Sequence, residues 1–291
     1  MPLVAWHRPG KATPALPAGV TWQPIDLLDK TSVAAALGGM RPARIYHIAG
    51  ASRLDTSWQN VVPHLETNVL GTHHVLDAVR SIGAPCRVVV VTSAMVYQVS
   101  DVAIDEHTPF FPASPYGVSK LAQDQLALRA AQQDGMDVVI ARPFNHVGPR
   151  QDPGFSVSSF ARQIALVEAG RAEPVIHVGN LEARRDLSDV RDVAEAYERL
   201  MDGGRGGRAY NICTGRAVRM GDVLDELIRQ SPVRVRVVFD SERLRPNDMP
   251  LFIGNPARMR DELDWVPQHP LVDTLRDTLD WWRHQVVSQV N

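Results

Sequence analysis

Tyr116 and Lys120 stand four positions apart in a segment, 114–133, whose sequence predicts a helix. Positions i and i+4 share a helix face, so the lysine ammonium would lie beside the tyrosine phenol. A neighbouring cation lowers the pKa of a tyrosine, and a phenol tuned toward neutral pH can give or take a proton. The spacing also arises by chance in about one of twenty chains with five tyrosines and three lysines. An ordinary exposed helix pair therefore stays an alternative at this point.

Ser93 directly follows the apolar run 87–92, which is typical of a strand buried on both faces of a parallel sheet. Ligands of such sheets bind beyond the carboxyl ends of the strands. A serine hydroxyl at this position can donate a hydrogen bond to a substrate oxygen. A serine that merely ends the strand fits the position equally well.

Short β-branched runs alternate with longer helical segments in the first half of the chain. This alternation predicts an α/β fold with a doubly wound, Rossmann-like parallel sheet. The expected strands are 3–6, 20–24, 44–48, 87–92 and 137–142, and the expected helices are 31–37, capped by Thr31 or Ser32, 64–82 and 114–133. Polar loops with glycine and proline follow Phe144. Beyond them we expect helix 156–170 and strand 175–178, and then helix 190–201 and strand 210–213, which return to the main sheet. The segments 221–230, 233–239 and 271–287 complete a smaller lobe.

Charge and composition exclude several classes of protein. The 31 basic and 33 acidic residues give a net charge of -2, which does not indicate nucleic acid or an anionic membrane as a partner. The sequence has no apolar run long enough to span a membrane and no signal peptide, so we expect a cytoplasmic protein. Cys86 and Cys213 are interpreted as buried apolar residues. His73 and His74 point in different directions on a helix, and we expect no metal site.

Several strings in the chain resemble the extended short-chain dehydrogenase/reductases, the NAD-dependent epimerase/dehydratase family. The string Pro-Ala-Ser-Pro-Tyr-Gly-Val-Ser-Lys (112–120) surrounds the tyrosine and lysine. Three further segments, 26–29, 46–50 and 68–72, match the Asp-Leu segment, the strand under the cofactor and the Asn-Val-x-Gly-Thr helix. The likeness is strongest to the GDP-6-deoxy-4-ketohexose reductases and the related GDP-mannose 4,6-dehydratases, through the segments 142–149, 178–186 and 245–248.

This resemblance implies roles for individual residues. The catalytic residues would be Ser93, Tyr116 and Lys120. The residues that hold NADP or NAD would be Arg8, Asp26, Leu27, Ile48, Ala49, Gly50, Asn68, Tyr116, Lys120 and His146. A nucleotide-sugar substrate, GDP-linked by resemblance, would meet Ser93, Asn145, Arg185, Arg245 and Asp248. Arginines suit its diphosphate because a guanidinium binds phosphate with two hydrogen bonds.

The resemblance also implies how the chain is organised. We expect a dinucleotide-binding domain from residues 1–145 plus about 186–214. A sugar-nucleotide lobe would comprise about 146–185 plus 215–291. In the family, the helix after Asn68 and the Tyr116 helix commonly form a four-helix interface, so we expect a homodimer.

Met95 occupies a position where the dehydratases of this family have a carboxylate, which acts as the base at the sugar C5. A thioether cannot accept that proton. The residue therefore argues for reduction or epimerisation and against 4,6-dehydration, although a base from elsewhere in the chain stays open.

The sequence lacks the Gly-x-x-Gly-x-x-Gly turn with which dinucleotide folds hold the pyrophosphate. Residues 3–6 resemble the second strand of the family, so we expect a sheet that lacks its first strand. One explanation is a truncated chain or a misassigned start, and another is a protein with weakened or lost cofactor binding. Arg8 follows this strand, where an arginine suits the 2′-phosphate of NADP.

Three functions remain open from the sequence. The first is an NADPH-dependent reduction of a nucleotide-linked 4-keto-6-deoxyhexose. The second uses the same residues for a nucleotide-sugar 4-epimerase or a 4,6-dehydratase. The third is a non-catalytic protein that binds a sugar nucleotide but no dinucleotide.

Overall fold

The computed structural model describes residues 3–10, 19–52, 57–244 and 249–288. The chain divides into two compact units. The first unit comprises Met1–Thr92, Ser114–Ile140 and Arg205–Arg208, and the second comprises Ser93–Ala113, Ala141–Gly204 and Ala209–Asn291. The expected division into a dinucleotide-binding domain and a substrate lobe is defined by ligands and stays a prediction.

The first unit alternates strands and helices. Its elements are β1 (Leu3–His7), β2 (Val20–Pro24), α1 (Lys30–Met40), β3 (Arg44–His47), α2 (Val61–Leu65), a π-helical segment (Glu66–Leu70), α3 (Gly71–Ile82), β4 (Arg87–Val91), α4 (Pro115–Gln133) and the start of β5 (Val138–Pro143). Strands β1 and β2 form a parallel pair with Leu3 opposite Val20, and β3 and β4 form another with Arg44 opposite Arg87. A parallel pair requires a crossover, and α2 and α3 provide it between β3 and β4.

Strand β4 is the buried centre of this arrangement. The valines at positions 88, 89 and 90 are fully buried, as expected for a strand covered on both faces. It lies in a four-stranded sheet with the order β3-β4-β5-β9, where β9 spans Ala209–Ile212. The structure therefore confirms the α/β class with parallel sheets.

The second unit has a helical core over short strands. Its elements are the end of β5, β6 (Asn145–Val147), α5 (Ser156–Glu168), β7 (Val175–Val178), β8 (Arg184–Asp189), α6 (Val190–Gly203), β9, β10 (Ala217–Arg219), α7 (Met220–Arg229), β11 (Arg236–Phe239), β12 (Leu251–Phe252), α8 (Ala257–Leu263) and α9 (Leu271–Ser288). Apolar side chains of α5, α7 and α9 form one core cluster. Trp282 of α9 closes it by donating from Nε1 to Ser158 Oγ at 2.9 Å.

Strand β8 has the most strand partners in the described part of the second unit. It pairs in parallel with β6 and β12 and antiparallel with β10. Asn145 of β6 lies opposite Leu187, and Leu251 of β12 lies opposite Arg184. These pairings place β6, from the family-like segment 142–149, beside β8, whose first residues belong to the family-like segment 178–186.

Two local expectations were wrong in detail. Helix α1 begins after Asp29, whose carboxylate accepts from Thr31 N at 3.0 Å and Ser32 N at 3.1 Å, so Asp29 is the cap and the two hydroxyl residues are not. The expected helix 64–82 begins earlier, at Val61, and is interrupted by the π-helical segment. Its expected end is confirmed, because Gly83 adopts a φ of 63° that glycine permits without strain.

The described residues contain neither a candidate membrane span nor a candidate metal cluster. No helix among them is both long enough and apolar enough to cross a bilayer. They also contain no group of three or more His, Cys, Asp or Glu side chains that could hold a metal ion.

Gly254 provides a test of the packing in the second unit. A Cβ there would lie 2.5 Å from Cys213 Sγ and 2.8 Å from Phe144 Cε2, both fully or nearly buried. We expect Gly254→Ala to lower the free energy of unfolding by about 1–3 kcal/mol, because buried neighbours must shift to admit the methyl group. Gly39→Ala is the matched control, since nothing lies within 4 Å of its added Cβ. Urea denaturation of both variants measures the difference, and equal stabilities would contradict this packing.

Candidate active site

Lys120 is almost completely buried on α4, with 4% of its surface exposed. Its Nζ donates to the carbonyl oxygen of Val91 at 3.1 Å and to Gln123 Oε1 at 2.8 Å. Burial disfavours the charged form and lowers the pKa of the Lys120 amine to about 7. The amine can therefore change its charge in the neutral range, and it is fixed to the carboxyl end of β4.

Tyr116 lies one helical turn before Lys120, in the first turn of α4. Ser114 caps this helix by accepting from Gly117 N at 3.0 Å, and Pro115 occupies its first position. The Tyr116 ring meets the buried His64 ring edge-on, with centroids 6.3 Å apart and an interplanar angle of 86°. The cap and the ring contact hold the phenol on the same helix face as Lys120, as the four-residue spacing predicted.

Asn68 fastens the loop after β3 to helix α4. Its Oδ1 accepts from Ala51 N at 2.8 Å, and its Nδ2 donates to Ala51 O at 3.1 Å and to Ser119 Oγ at 2.9 Å. Ser119 in turn donates to the Tyr116 carbonyl at 2.8 Å. The residue is fully buried and lies in the π-helical segment, a form of helix frequent at functional sites.

Gly50 brings backbone close to the lysine. A Cβ at this position would lie 2.6 Å from Asn68 Oδ1 and 3.4 Å from Lys120 Nζ, so a larger residue would displace the asparagine. Ile48 and Ala49, just before it, are exposed. An exposed apolar surface beside a buried amine fits the nicotinamide riboside half of a dinucleotide. Of the residues expected to hold the cofactor, the structure thus brings Gly50, Asn68 and Lys120 together.

Arg8, Asp26 and Leu27 lie at one sheet edge, because β1 and β2 run parallel with His7 opposite Pro24. Arg8 is exposed, whereas Asp26 Oδ1 accepts from Leu28 N at 3.0 Å and shapes the turn after β2. An exposed guanidinium at the carboxyl end of parallel strands fits the adenosine half of a dinucleotide.

Ser93 belongs to the second unit and follows Thr92, the last residue before the unit boundary. Its Oγ accepts from Met95 N at 3.1 Å and caps the 3₁₀ turn Ala94–Val96. This bond uses a lone pair of the hydroxyl oxygen and leaves the proton for another acceptor. Met95 follows in the same turn, so a thioether stands where the dehydratases would have a carboxylate.

Asn145 and His146 lie on β6 of the second unit. Asn145 Oδ1 is buried and has no hydrogen-bond partner among the described residues. A buried amide oxygen without a partner is costly, and a ligand donor would satisfy it. His146 is exposed, with its Nδ1 3.3 Å from the Phe144 carbonyl.

Arg185 is buried on β8 and is held by carbonyl oxygens. Its Nη1 donates to Arg184 O at 2.9 Å and to Met249 O at 2.6 Å. Arg245 and Asp248, the other expected substrate residues, lie outside the described residues. Of the residues expected to bind substrate, the structure therefore describes Ser93, Asn145 and Arg185.

The two acidic residues beside these arginines have structural roles. Glu182 pairs with Arg219, with Nε and Oε2 2.9 Å apart. Asp186 accepts from the backbone N–H groups of Thr214, Gly215 and Gly254. Burial raises the pKa of Asp186, and these hydrogen bonds oppose that effect.

Sequence reasoning missed three buried polar side chains next to Lys120. Gln123, Thr72 and His47 form a hydrogen-bonded chain that ends on the lysine amine. Thr72 and His47 stood inside family-like strings without an assigned role. Gln123 lies three positions after Lys120, and this helical spacing was the available signal.

The sequence is similar to a family of nucleotide-sugar enzymes and to individual members of it. The sequence model of a family described as GDP-mannose 4,6 dehydratase matches residues 11–278. The GDP-6-deoxy-D-mannose reductase of Pseudomonas aeruginosa is 34% identical over 248 residues, covering 84% of this chain and 82% of that protein.

Two solved structures extend the comparison. RMD from Pseudomonas aeruginosa complexed with NADPH has a TM-score of 0.85 and 32% identity, covering 93% of this chain and 92% of that one. The UDP-glucose 4-epimerase of Thermus thermophilus in complex with NAD has a TM-score of 0.81 and 27% identity, covering 92% and 86%. These matches, together with the Tyr116 and Lys120 helix, establish that the chain belongs to the GDP-mannose 4,6-dehydratase family of Rossmann-fold, extended short-chain dehydrogenase/reductases.

Proposed function

We propose that this chain reduces the C4 keto group of a GDP-linked 4-keto-6-deoxyhexose with NADPH. The observation that carries the proposal is the buried Lys120 amine one turn after Tyr116, in a chain 34% identical to a GDP-6-deoxy-D-mannose reductase. The bound nicotinamide would supply the hydride. The residues of the chain then supply the proton, orient the sugar and bind the nucleotide.

Tyr116 donates its phenolic proton to the C4 oxygen as charge develops on it. Lys120 in its ammonium form lowers the pKa of that phenol, so that the proton is available near neutral pH. Ser93 donates to the same oxygen with the hydroxyl proton that its bond to Met95 N leaves over. Asn68 and Gly50 hold the loop after β3 in a position to face the cofactor.

The substrate nucleotide is assigned to the second unit. Arg185 presents a buried guanidinium, and Asn145 presents an amide oxygen that lacks a partner among the described residues. By resemblance, Arg185 and Arg245 would bind the diphosphate and Asp248 the ribose of the nucleoside. The GDP linkage is favoured because the chain resembles a GDP-sugar reductase and matches a GDP-sugar family.

Met95 favours reduction over dehydration. The dehydration of a nucleotide sugar requires a base at C5, and a thioether cannot take that proton. Arg8, exposed after β1, favours NADPH because a guanidinium matches a 2′-phosphate.

A 4-epimerase is the second candidate, favoured by the structural similarity to a UDP-glucose 4-epimerase bound to NAD. The two activities differ in how the dinucleotide is held. A reductase releases NADP⁺ and binds a new NADPH molecule at every turnover, whereas an epimerase keeps its NAD bound. Purified protein that carries NAD through gel filtration and interconverts sugar epimers without added NADPH would replace the reductase proposal.

Direct binding measurements separate both enzymes from a non-catalytic nucleotide-sugar-binding protein. We expect the chain to bind NADPH and GDP in separate calorimetric titrations. Binding of GDP with no measurable binding of NADPH or NAD would support the non-catalytic alternative.

A homodimer formed through α3 and α4 is also part of the proposal. The surface near these helices exposes the apolar side chains of Leu70 and Val118. Light scattering of the purified protein should give about twice the monomer mass of 32.1 kDa. A monomeric mass at all concentrations would remove this part of the proposal.

Replacement of Tyr116 by phenylalanine tests the proton donor. We expect Tyr116→Phe to lower kcat for the reduction of GDP-4-keto-6-deoxymannose by about 10²–10⁴-fold, because general acid catalysis contributes that much. The Michaelis constant should change little, since the phenyl ring keeps the volume of the site. Tyr197→Phe, the same chemical change on α6, is the control and should turn over like the parent. A Tyr116→Phe enzyme as fast as the parent would show that the assignment is wrong.

The pH dependence tests Lys120. Because its pKa is lowered to about 7, the ammonium form is lost as the pH rises through that value. We therefore expect kcat/KM for the reduction to fall above about pH 7, by up to tenfold per pH unit. Lys120→Arg should be slower but should lose this decline, because a guanidinium stays charged throughout. An identical decline in both proteins would assign it to another group.

A further inference from the structure

The Lys120 amine is surrounded by neutral acceptors. Among the described residues, its hydrogen-bond partners are the backbone carbonyl of Val91 and the side-chain amide of Gln123. Neither bears a charge, so neither offsets the burial of an ammonium as a carboxylate would. The other titratable and charged side chains on the described elements around this part of α4 are Arg44, Tyr46 and His47 on β3, His64 on α2, Glu66 in the π-helical segment, His73, His74, Asp77 and Arg80 on α3, Arg87 on β4, and Tyr116, Asp124 and Arg129 on α4 itself.

The Gln123 amide has a defined orientation. Its Oε1 accepts from Lys120 Nζ at 2.8 Å, and its Nε2 donates to Thr72 Oγ1, also at 2.8 Å. The side chain is fully buried. If the amide were reversed, its NH₂ group would face the lysine donor, and Thr72 would meet a second acceptor.

Thr72 and His47 determine that orientation. The single hydroxyl proton of Thr72 goes to the carbonyl oxygen of Asn68 at 2.7 Å. The Thr72 oxygen must therefore accept from both of its other neighbours, Gln123 Nε2 and His47 Nε2, which lies 2.8 Å away. His47 thus carries its proton on Nε2. Burial and the nearby Lys120 charge lower the pKa of His47 to about 4, which keeps the ring neutral.

We propose that Gln123 is a positioning residue for Lys120, and that Thr72 and His47 orient its amide so that the carbonyl oxygen always faces the amine. Thr72 Oγ1 uses its one proton and both of its acceptor positions, and this restricts the Gln123 amide to the observed orientation. The amide stabilises the ammonium form and opposes the effect of burial. This inference rests on the proposed function only where it assigns Lys120 a part in catalysis. The protonation of the Lys120 amine can be measured without substrate or dinucleotide.

The chain has only three lysines, Lys11, Lys30 and Lys120, so the amine can be followed directly. Protein labelled with ¹³C at lysine Cε gives three signals by NMR, and Lys11→Arg and Lys30→Arg identify the Lys120 signal by elimination. Titration of the unliganded protein should show Lys120 changing protonation near pH 7, far below an ordinary lysine.

Two variants of Gln123 should move this titration in opposite directions. Gln123→Leu removes the acceptor and should lower the Lys120 midpoint by about one pH unit, because a hydrogen bond to a charged group contributes about that much. Gln123→Glu places a carboxylate on the amine and should raise the midpoint. Gln125→Leu and Gln125→Glu are matched controls on the same helix. Gln125 is exposed, and its variants should leave the midpoint unchanged.

The decisive result is the Lys120 midpoint in the Gln123 variants. A midpoint equal to that of the parent in folded Gln123→Leu would overturn the proposal, since the amide would then only fill space. If the leucine variant does not fold, Gln123→Glu decides alone, and an unshifted midpoint there overturns it equally. Midpoints that shift in a protein without reductase activity would reject the proposed function and leave this inference intact. Where activity is present, the high-pH decline of kcat/KM should shift with the midpoint.

Discussion

Burial of a lysine amine among neutral hydrogen-bond acceptors is the constraint on which the first unit depends. An ammonium loses solvation when it is buried, and among the described residues this one hydrogen-bonds to a carbonyl and an amide rather than to a compensating carboxylate. Its pKa falls to about 7, and it becomes sensitive to each oxygen around it. The surrounding structure is therefore specific: a strand carbonyl, a buried glutamine, and a glycine where a Cβ would approach the amine.

The same region shows how neighbouring elements are tied to that amine. Asn68 lies in a π-helical segment and bonds both to the loop after β3 and to Ser119 of α4. Thr72, one helical turn later, donates a hydrogen bond to the Asn68 carbonyl and accepts one from Gln123 Nε2. One short stretch of chain thus holds the loop, the helix and the glutamine that contacts the lysine. A substitution in this stretch is expected to change the hydrogen bonding of Lys120 even when the substituted residue does not contact the lysine.

The second unit contributes polar groups of a different kind. The bond that Ser93 Oγ accepts leaves its hydroxyl proton available, and Asn145 Oδ1 has no hydrogen-bond partner among the described residues. The Arg185 guanidinium donates to backbone carbonyls. Asp186 is committed to backbone N–H groups at 2.8–3.2 Å and is a structural residue. Lys120 Nζ has two hydrogen-bond acceptors within the first unit, whereas Asn145 Oδ1 has no partner among the described residues and could accept from a ligand.

The sequence by itself determined the fold class, most strand and helix positions, and the Tyr116 and Lys120 pair, because these follow from local periodicity and from spacing on one helix. It also determined that Met95 cannot be a base, since that depends on residue type alone. It misplaced the cap of α1 and missed the π-helical segment, because both depend on which backbone groups find partners. Only the tertiary structure decided the roles of Gln123, Thr72, His47 and Asp186. The bonds that Thr72 makes with His47 and Gln123, and the bond that Asp186 accepts from Gly254, join residues 25–68 positions apart. No local pattern specifies which buried polar groups meet across that distance.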